Sequence, residues 1–121
     1  MALSYDVQFG GSVNINVRFG EDANSITFNI KDSAGNTYDV SNFTNTVFNI
    51  YAVEGMKEAD YIVQISGLSP ASGAVPVSWD WSTSMTKLRN GYKYYYRILT
   101  DDTGYSNQRL IPVQGEFFVG V

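Results

Sequence analysis

The sequence predicts an all-β fold: a sandwich or barrel of seven to nine short antiparallel strands, formed by residues 1–121 as a single domain. Two observations carry this. Apolar and polar residues alternate with the period of a strand through most of the chain, and clusters rich in Gly, Asn, Asp and Ser interrupt that alternation every 8 to 12 residues. Only "STSMTKLRNG", residues 82–91, reads as a helical turn, with Ser82 or Ser84 as its cap and Gly91 as its end.

The first clear strand lies in "GSVNINVRFG", where Val13, Ile15, Val17 and Phe19 share the inward face and Asn14, Asn16 and Arg18 the outward one. Gly20 to Asn24 forms a turn. "SITFNIKD" repeats the pattern with Ile26, Phe28 and Ile30 inward, and Asp32, Gly35 and Asn36 supply the next turn. In "NTVFNIYAV" both faces are apolar, with Phe48, Ile50 and Ala52 on one and Val47, Tyr51 and Val53 on the other. An inner strand covered on both sides fits that pattern.

"YIVQIS" is a further strand and "GLSPASG" a loop. "AVPVSWDW" aligns Val75, Val77, Trp79 and Trp81, while Pro76, which has no N–H to donate, places this strand at an edge or a bulge. In "GYKYYYRIL" the rings of Tyr92, Tyr94 and Tyr96 share a parity with Ile98 and belong to the core; Tyr95, between Lys93 and Arg97, points outward. "DDTG" is a turn, and "SNQRLIPV" and "GEFFVGV" complete the sheet.

Composition narrows the chemistry. The chain has neither cysteine nor histidine, so disulfides, thiolate nucleophiles, imidazole bases and the usual zinc ligands are excluded together. Its formal charge is −4, with eight acids and three bases in residues 1–60. No basic tract is available to follow a phosphate backbone, so nucleic acid is not an expected partner. No apolar run approaches a membrane span and the start "MALSYDVQF" lacks the form of a leader, so the expectation is a protein made in a cytoplasm that does not contact membrane.

The order of motifs in "FGEDANSITFNIKDSAGNTYDVSNFTNTVFNIY", residues 19–51, resembles the N-terminal immunoglobulin-like domain of phage baseplate upper proteins and related tail and virion proteins. The matching positions are Lys31 and Asp32 at a strand end, Gly35 in the turn, Asp39 and Val40, and the strand Val47 to Tyr51. Toward the other end, "SMTKLRNGYKYYYRILTDDTGYSNQRLIPVQGEFFVGV" is similar to that family's closing unit through Gly91, the aromatic strand Tyr92 to Leu99, the tip Asp101 to Gly104, and Gly115 to Val119. The resemblance implies an antiparallel immunoglobulin-like β-sandwich. It also implies a non-enzymatic structural role in a tailed-phage virion, as a capsid decoration protein or a small tail or baseplate module made in the host cytoplasm. Expected partners are other virion proteins and copies of the chain itself.

Candidate sites follow from the same residues. Lys93, Tyr95 and Arg97 form a candidate interface, because residues 81–100 hold four bases and no acid, and because Tyr and Arg are enriched where interfaces carry energy. An alternative is a carbohydrate-binding module built on Trp79, Asp80 and Trp81, although the parity of both indoles with Val75 and Val77 assigns them to the core, beside Phe28 and Ile30. The carboxylate pairs Glu21–Asp22 and Asp101–Asp102 sit in predicted turns, without the alternating spacing of a calcium loop, and read as solvated turn residues. No catalytic residue, metal site or cofactor is expected.

Overall fold

A computed structural model describes residues 2–20, 25–105 and 108–120. Nearly all of the regular structure is β, arranged as two sheets. The smaller sheet has the order β1 (Ala2–Gln8), β4 (Ser25–Lys31), β7 (Ala74–Ser78). The larger runs β2 (Gly11–Ser12), β9 (Gln108–Gly120), β8 (Tyr92–Asp102), β5 (Phe43–Tyr51), β6 (Val63–Ile65), and β3 (Ile15–Arg18) also pairs with β9. The expected turn at Gly20 to Asn24 falls, from residue 21 on, outside the described residues.

The sheets are mixed, which corrects the expectation of an antiparallel fold. β1 is parallel to β4, and β2 and β3 are parallel to β9. The cause lies at Phe9 and Gly10. The amide of Phe9 donates to the Lys31 carbonyl on the smaller sheet and that of Gly10 to the Pro112 carbonyl on the larger, both at 2.8 Å, while Gly10 takes φ 81°. That left-handed turn, open to glycine at little cost, folds the chain back on itself as it changes sheets, so β1 and β3 run in opposite directions.

One hydrophobic core lies between the sheets. Ile26, Phe28, Ile30, Val75 and Val77 enter it from the smaller sheet; Ile15, Phe48, Ile50, Tyr96, Ile98 and Phe117 enter from the larger. Phe28 stacks across the gap on Tyr96 at 5.7 Å and Phe48 at 6.5 Å. Fully burying such a ring contributes about 1.5 to 3 kcal/mol, so this group dominates the fold's stability. Phe9, Tyr38 and Phe43 pack together at one end.

Met85 and Leu88 are buried from the 79–91 segment, but no helix forms there. Asp80 starts a single turn: its Oδ1 accepts from both the amide and the hydroxyl of Ser82, at 2.8 and 2.6 Å, and its carbonyl accepts from the Ser84 amide at 2.8 Å, but the turn is not continued into a helix. Trp79 is 6 % exposed, in the same core cluster as Phe28 and Ile30 and with Phe48, Phe117 and Trp81 as its ring neighbours, and Trp81 is half-buried beside Phe19. The tyrosine strand follows its predicted parity with one exception. Tyr94 and Tyr96 are buried, whereas Tyr92, first in the strand, overhangs the sheet end and is exposed.

Two β-bulges flank β8 at the same level. Between Thr44 and Val47 on β5, and between Leu110 and Val113 on β9, the partner of β8 carries one extra residue. Asn45 takes φ 50° in the first, a conformation that Asn tolerates, and Pro112 sits in the second, where no ladder bond is demanded of it. The Thr46 and Thr100 hydroxyls meet at 2.8 Å across the first, satisfying each other where both side chains are buried.

Candidate functional site

Lys93, Tyr95 and Arg97 all lie on the face of the larger sheet turned away from the core, as the parity of β8 requires. That outer face is not bare. Val47, Asn49, Tyr51 and Leu99 point outward from it and are nevertheless buried. The connection from β5 to β6, residues 52–62, folds back over this part of the face, so β5 is covered on both sides, as its two apolar faces predict.

Arg97 holds that connection down. Its guanidinium stacks over the Tyr51 ring at 4.3 Å and donates to the Met56 carbonyl. Beneath it, the Tyr51 hydroxyl donates to the Glu58 carbonyl at 3.0 Å, and Asn49 Nδ2 donates to the Tyr51 hydroxyl at 3.0 Å. From the other side, Arg109 bonds both carboxylate oxygens of Glu58, at 3.2 Å from Nε and 2.8 Å from Nη2 to Oε2, and reaches Asp101 at 3.4 Å. The hydrogen bonds that Arg109 donates to Glu58 raise its pKa further, so this clamp stays charged at any ordinary pH.

Lys93 is paired as well, with Glu116 at 3.3 Å on the neighbouring strand, and that hydrogen bond raises its pKa. It lies 5.9 Å from the centroid of the Tyr95 ring. The acid-free character of residues 81–100 is therefore a property of the chain order alone. In space, β9 and the 52–62 connection bring Glu116, Glu54 and Glu58 onto the same face, which no reading of one strand reveals.

Between the connection and the β2–β9 edge lies an open groove of about 550 Å³. Tyr95, Arg97, Gln114 and Glu116 line its floor, Glu54 to Met56 form one wall, and Ser12 and Asn14 the other. Sequence reasoning found Tyr95 and Arg97 but missed the rest, because the groove exists only where residues over a hundred positions apart are paired. Gly115 sets its shape. A Cβ at that position would collide with the Val13 carbonyl group, 2.8 Å from its carbon. The close approach lets Asn14 Oδ1 accept from the Glu116 amide at 3.1 Å, where β2 and β3 are interrupted.

The other candidates resolve differently. Asp102 is 2 % exposed, and its Oδ1 accepts from the Gly104 amide at 2.8 Å; Asp101 binds Arg109 and accepts from Asn45 Nδ2 at 3.0 Å. The pair is structural, not solvated, which corrects the sequence reading. Glu21 and Asp22 lie outside the described residues. Among the described residues no group of three or more acidic side chains is placed to hold a metal ion, and no helix is long and apolar enough to cross a membrane. At residues 79–81, Trp79 lies in the core, Asp80 is bonded within its own turn and Trp81 is half-buried.

No protein-family model and no curated protein matches the chain.

Proposed function

We propose that the chain is an immunoglobulin-like β-sandwich acting as a non-enzymatic structural module of a tailed-phage particle, in the capsid or the tail, through protein–protein contacts. The arrangement of strands supports the fold reading. β4 and β7 on one sheet and β9, β8, β5 and β6 on the other follow the order BE and GFCC′ of such sandwiches. The residues that carry the resemblance to the phage family lie in the Asp32–Gly35 turn after β4 and in strands β5, β8 and β9.

The observation that carries the functional reading is how the charged side chains of the outer face are used. Arg97, Arg109, Glu58 and Asp101 all hold loops in place, so these charges serve the shape of the face. A rigid face with partly exposed apolar side chains suits binding in fixed geometry, as a repeated particle component requires. Its anchors are Tyr95 and Phe118, the latter directly opposite Lys93 and 38 % exposed. Arg97 contributes by fixing the connection, so the contact patch is Lys93, Tyr95 and Phe118.

The test is incorporation. Mass spectrometry of purified particles should find the wild-type chain, and a Lys93→Glu, Phe118→Ser double variant should be lost from particles with its melting temperature unchanged. Full incorporation of the variant removes this patch from the account. Absence of the wild-type chain from every particle fraction overturns the structural role itself.

A further inference from the structure

The groove beside Tyr95 has a chemistry of its own. Its floor is formed by β8 and β9, and its overhanging wall, Glu54 to Met56, is tied down through Arg97 to the Met56 carbonyl. The site is therefore preformed, which lowers the ordering cost of binding. A volume of about 550 Å³ falls within the range of small-molecule clefts, roughly 300 to 1,000 Å³.

Three features define the ligand class. First, a half-buried tyrosine ring lies in the floor, an apolar surface with a polar tip. Second, the polar groups around it are mixed: the Ser12 hydroxyl, the Asn14 and Gln114 amides and the Glu54 carboxylate offer both donors and acceptors. Among the described residues, neither the Gln114 amide nor the Glu54 carboxylate makes a side-chain hydrogen bond. Third, the cations are already answered, Lys93 by Glu116 and Arg97 by Tyr51 and Met56. That leaves no positive excess for a phosphate or carboxylate ligand.

A ligand suited to these groups is uncharged, carries many hydroxyls that both donate and accept, and has an apolar C–H face to lay on a ring. We propose that the groove binds a neutral oligosaccharide, with Tyr95 as the stacking platform and Gln114, Asn14 and Glu54 as hydroxyl partners. This does not rest on the particle role, since the groove is complete within a single chain.

The experiment is a titration of the ¹⁵N-labelled protein with neutral gluco-, manno- and N-acetylhexosamine tetrasaccharides, followed by amide chemical shifts. At least one sugar is expected to shift the amides of residues 12–14, 54–56, 95–97 and 114–116, saturating at or below roughly 10 mM. Gln114→Ala and Tyr95→Ala should each weaken binding by about tenfold or more, while Tyr95→Phe keeps it within about threefold, all three with unchanged melting temperature. No shift with any sugar at that concentration overturns the proposal, as do shifts confined to other residues or binding insensitive to Gln114→Ala. Tighter, salt-dependent binding of an anionic oligosaccharide control overturns the assignment to neutral ligands. Loss of sugar binding by Gln114→Ala with normal incorporation into particles separates this site from the contact patch.

Discussion

Tyr96 shows how one residue joins the two layers of this protein. Its ring packs on Phe28, Phe48 and Phe117, and its hydroxyl donates to the Val13 carbonyl at 2.6 Å, at the interruption between β2 and β3. Burial raises the hydroxyl pKa well above the ordinary tyrosine value, because the phenolate would lose its solvation. For a group whose folded pKa is raised, stability is complete below the unfolded value and is lost as pH climbs through the folded one. Melting temperature should therefore fall above about pH 10. Tyr96→Phe should flatten that fall while costing about 1 to 2 kcal/mol at neutral pH, since the Val13 carbonyl loses its donor. An equally steep alkaline decline in the variant would show that other groups cause it. Gly115, directly opposite Tyr96, is the stricter position. Gly115→Ala should cost about 2 to 4 kcal/mol in urea unfolding, because the new methyl meets backbone that cannot move without breaking the β2–β9 pairing. A loss under about 1 kcal/mol would mean that the edge strand shifts freely.

The element that depends most on side chains is the connection over the outer face. Its bond to the sheet through Arg97 combines a cation–π contact and a carbonyl hydrogen bond over a buried ring, which should make it stronger than the half-exposed Arg109–Glu58 pair. Arg97→Ala should cost about 1 to 2 kcal/mol. Its signature in hydrogen exchange is local: the Asp60 and Ile62 amides, bonded to the Lys57 and Ile50 carbonyls, should exchange faster while the β8–β9 ladder stays protected. Uniform loss of protection would mean that Arg97 supports the whole sheet. The exposed capping carboxylates Asp39 and Asp80 act in the same local way. Hydrogen bonds from the Ser41 and Ser82 side chains lower their pKa values, so the contribution of these turns is present above the unfolded carboxylate value and is lost as pH falls through the lowered one.

At the scale of the whole molecule, the fold is closed by pairings between distant parts of the chain. Ile15 pairs with Phe117, and the N-terminal strand lies beside β4 with Ala2 opposite Ser25. Folding through such non-local contacts is expected on the millisecond-to-second scale in stopped-flow experiments. Microsecond folding would contradict this topology. The carboxylates, dispersed among clamps and turns, imply a second global property. Millimolar calcium followed by chelator should leave the melting temperature unchanged, because Asp102 and Asp101 are already bonded to Gly104, Asn45 and Arg109. A reversible rise with calcium would locate a site that these bonds do not describe.

The sequence by itself determined which residues face inward, because the two-residue period of a strand is set by backbone geometry: Val75 and Val77, Tyr94 and Tyr96, and Ile26, Phe28 and Ile30 occupy the predicted side. Pro76 marked an edge strand for an equally local reason, its missing N–H. β1 is not among the strands predicted from the sequence, although Leu3, Tyr5 and Val7 carry the same alternation. The tertiary structure alone decided the partners. The reversal at Gly10 makes β1 parallel to β4, and the turn at Asp80 replaces the expected helix. The loop over Tyr51 and the pairing of β8 with β9 bring acids to the basic strand, and the pairing of β2 with β9 completes a groove beside Tyr95. Periodicity reports the face on which a side chain stands; what stands opposite it depends on loop closure and packing between segments up to about a hundred residues apart, which no local pattern encodes.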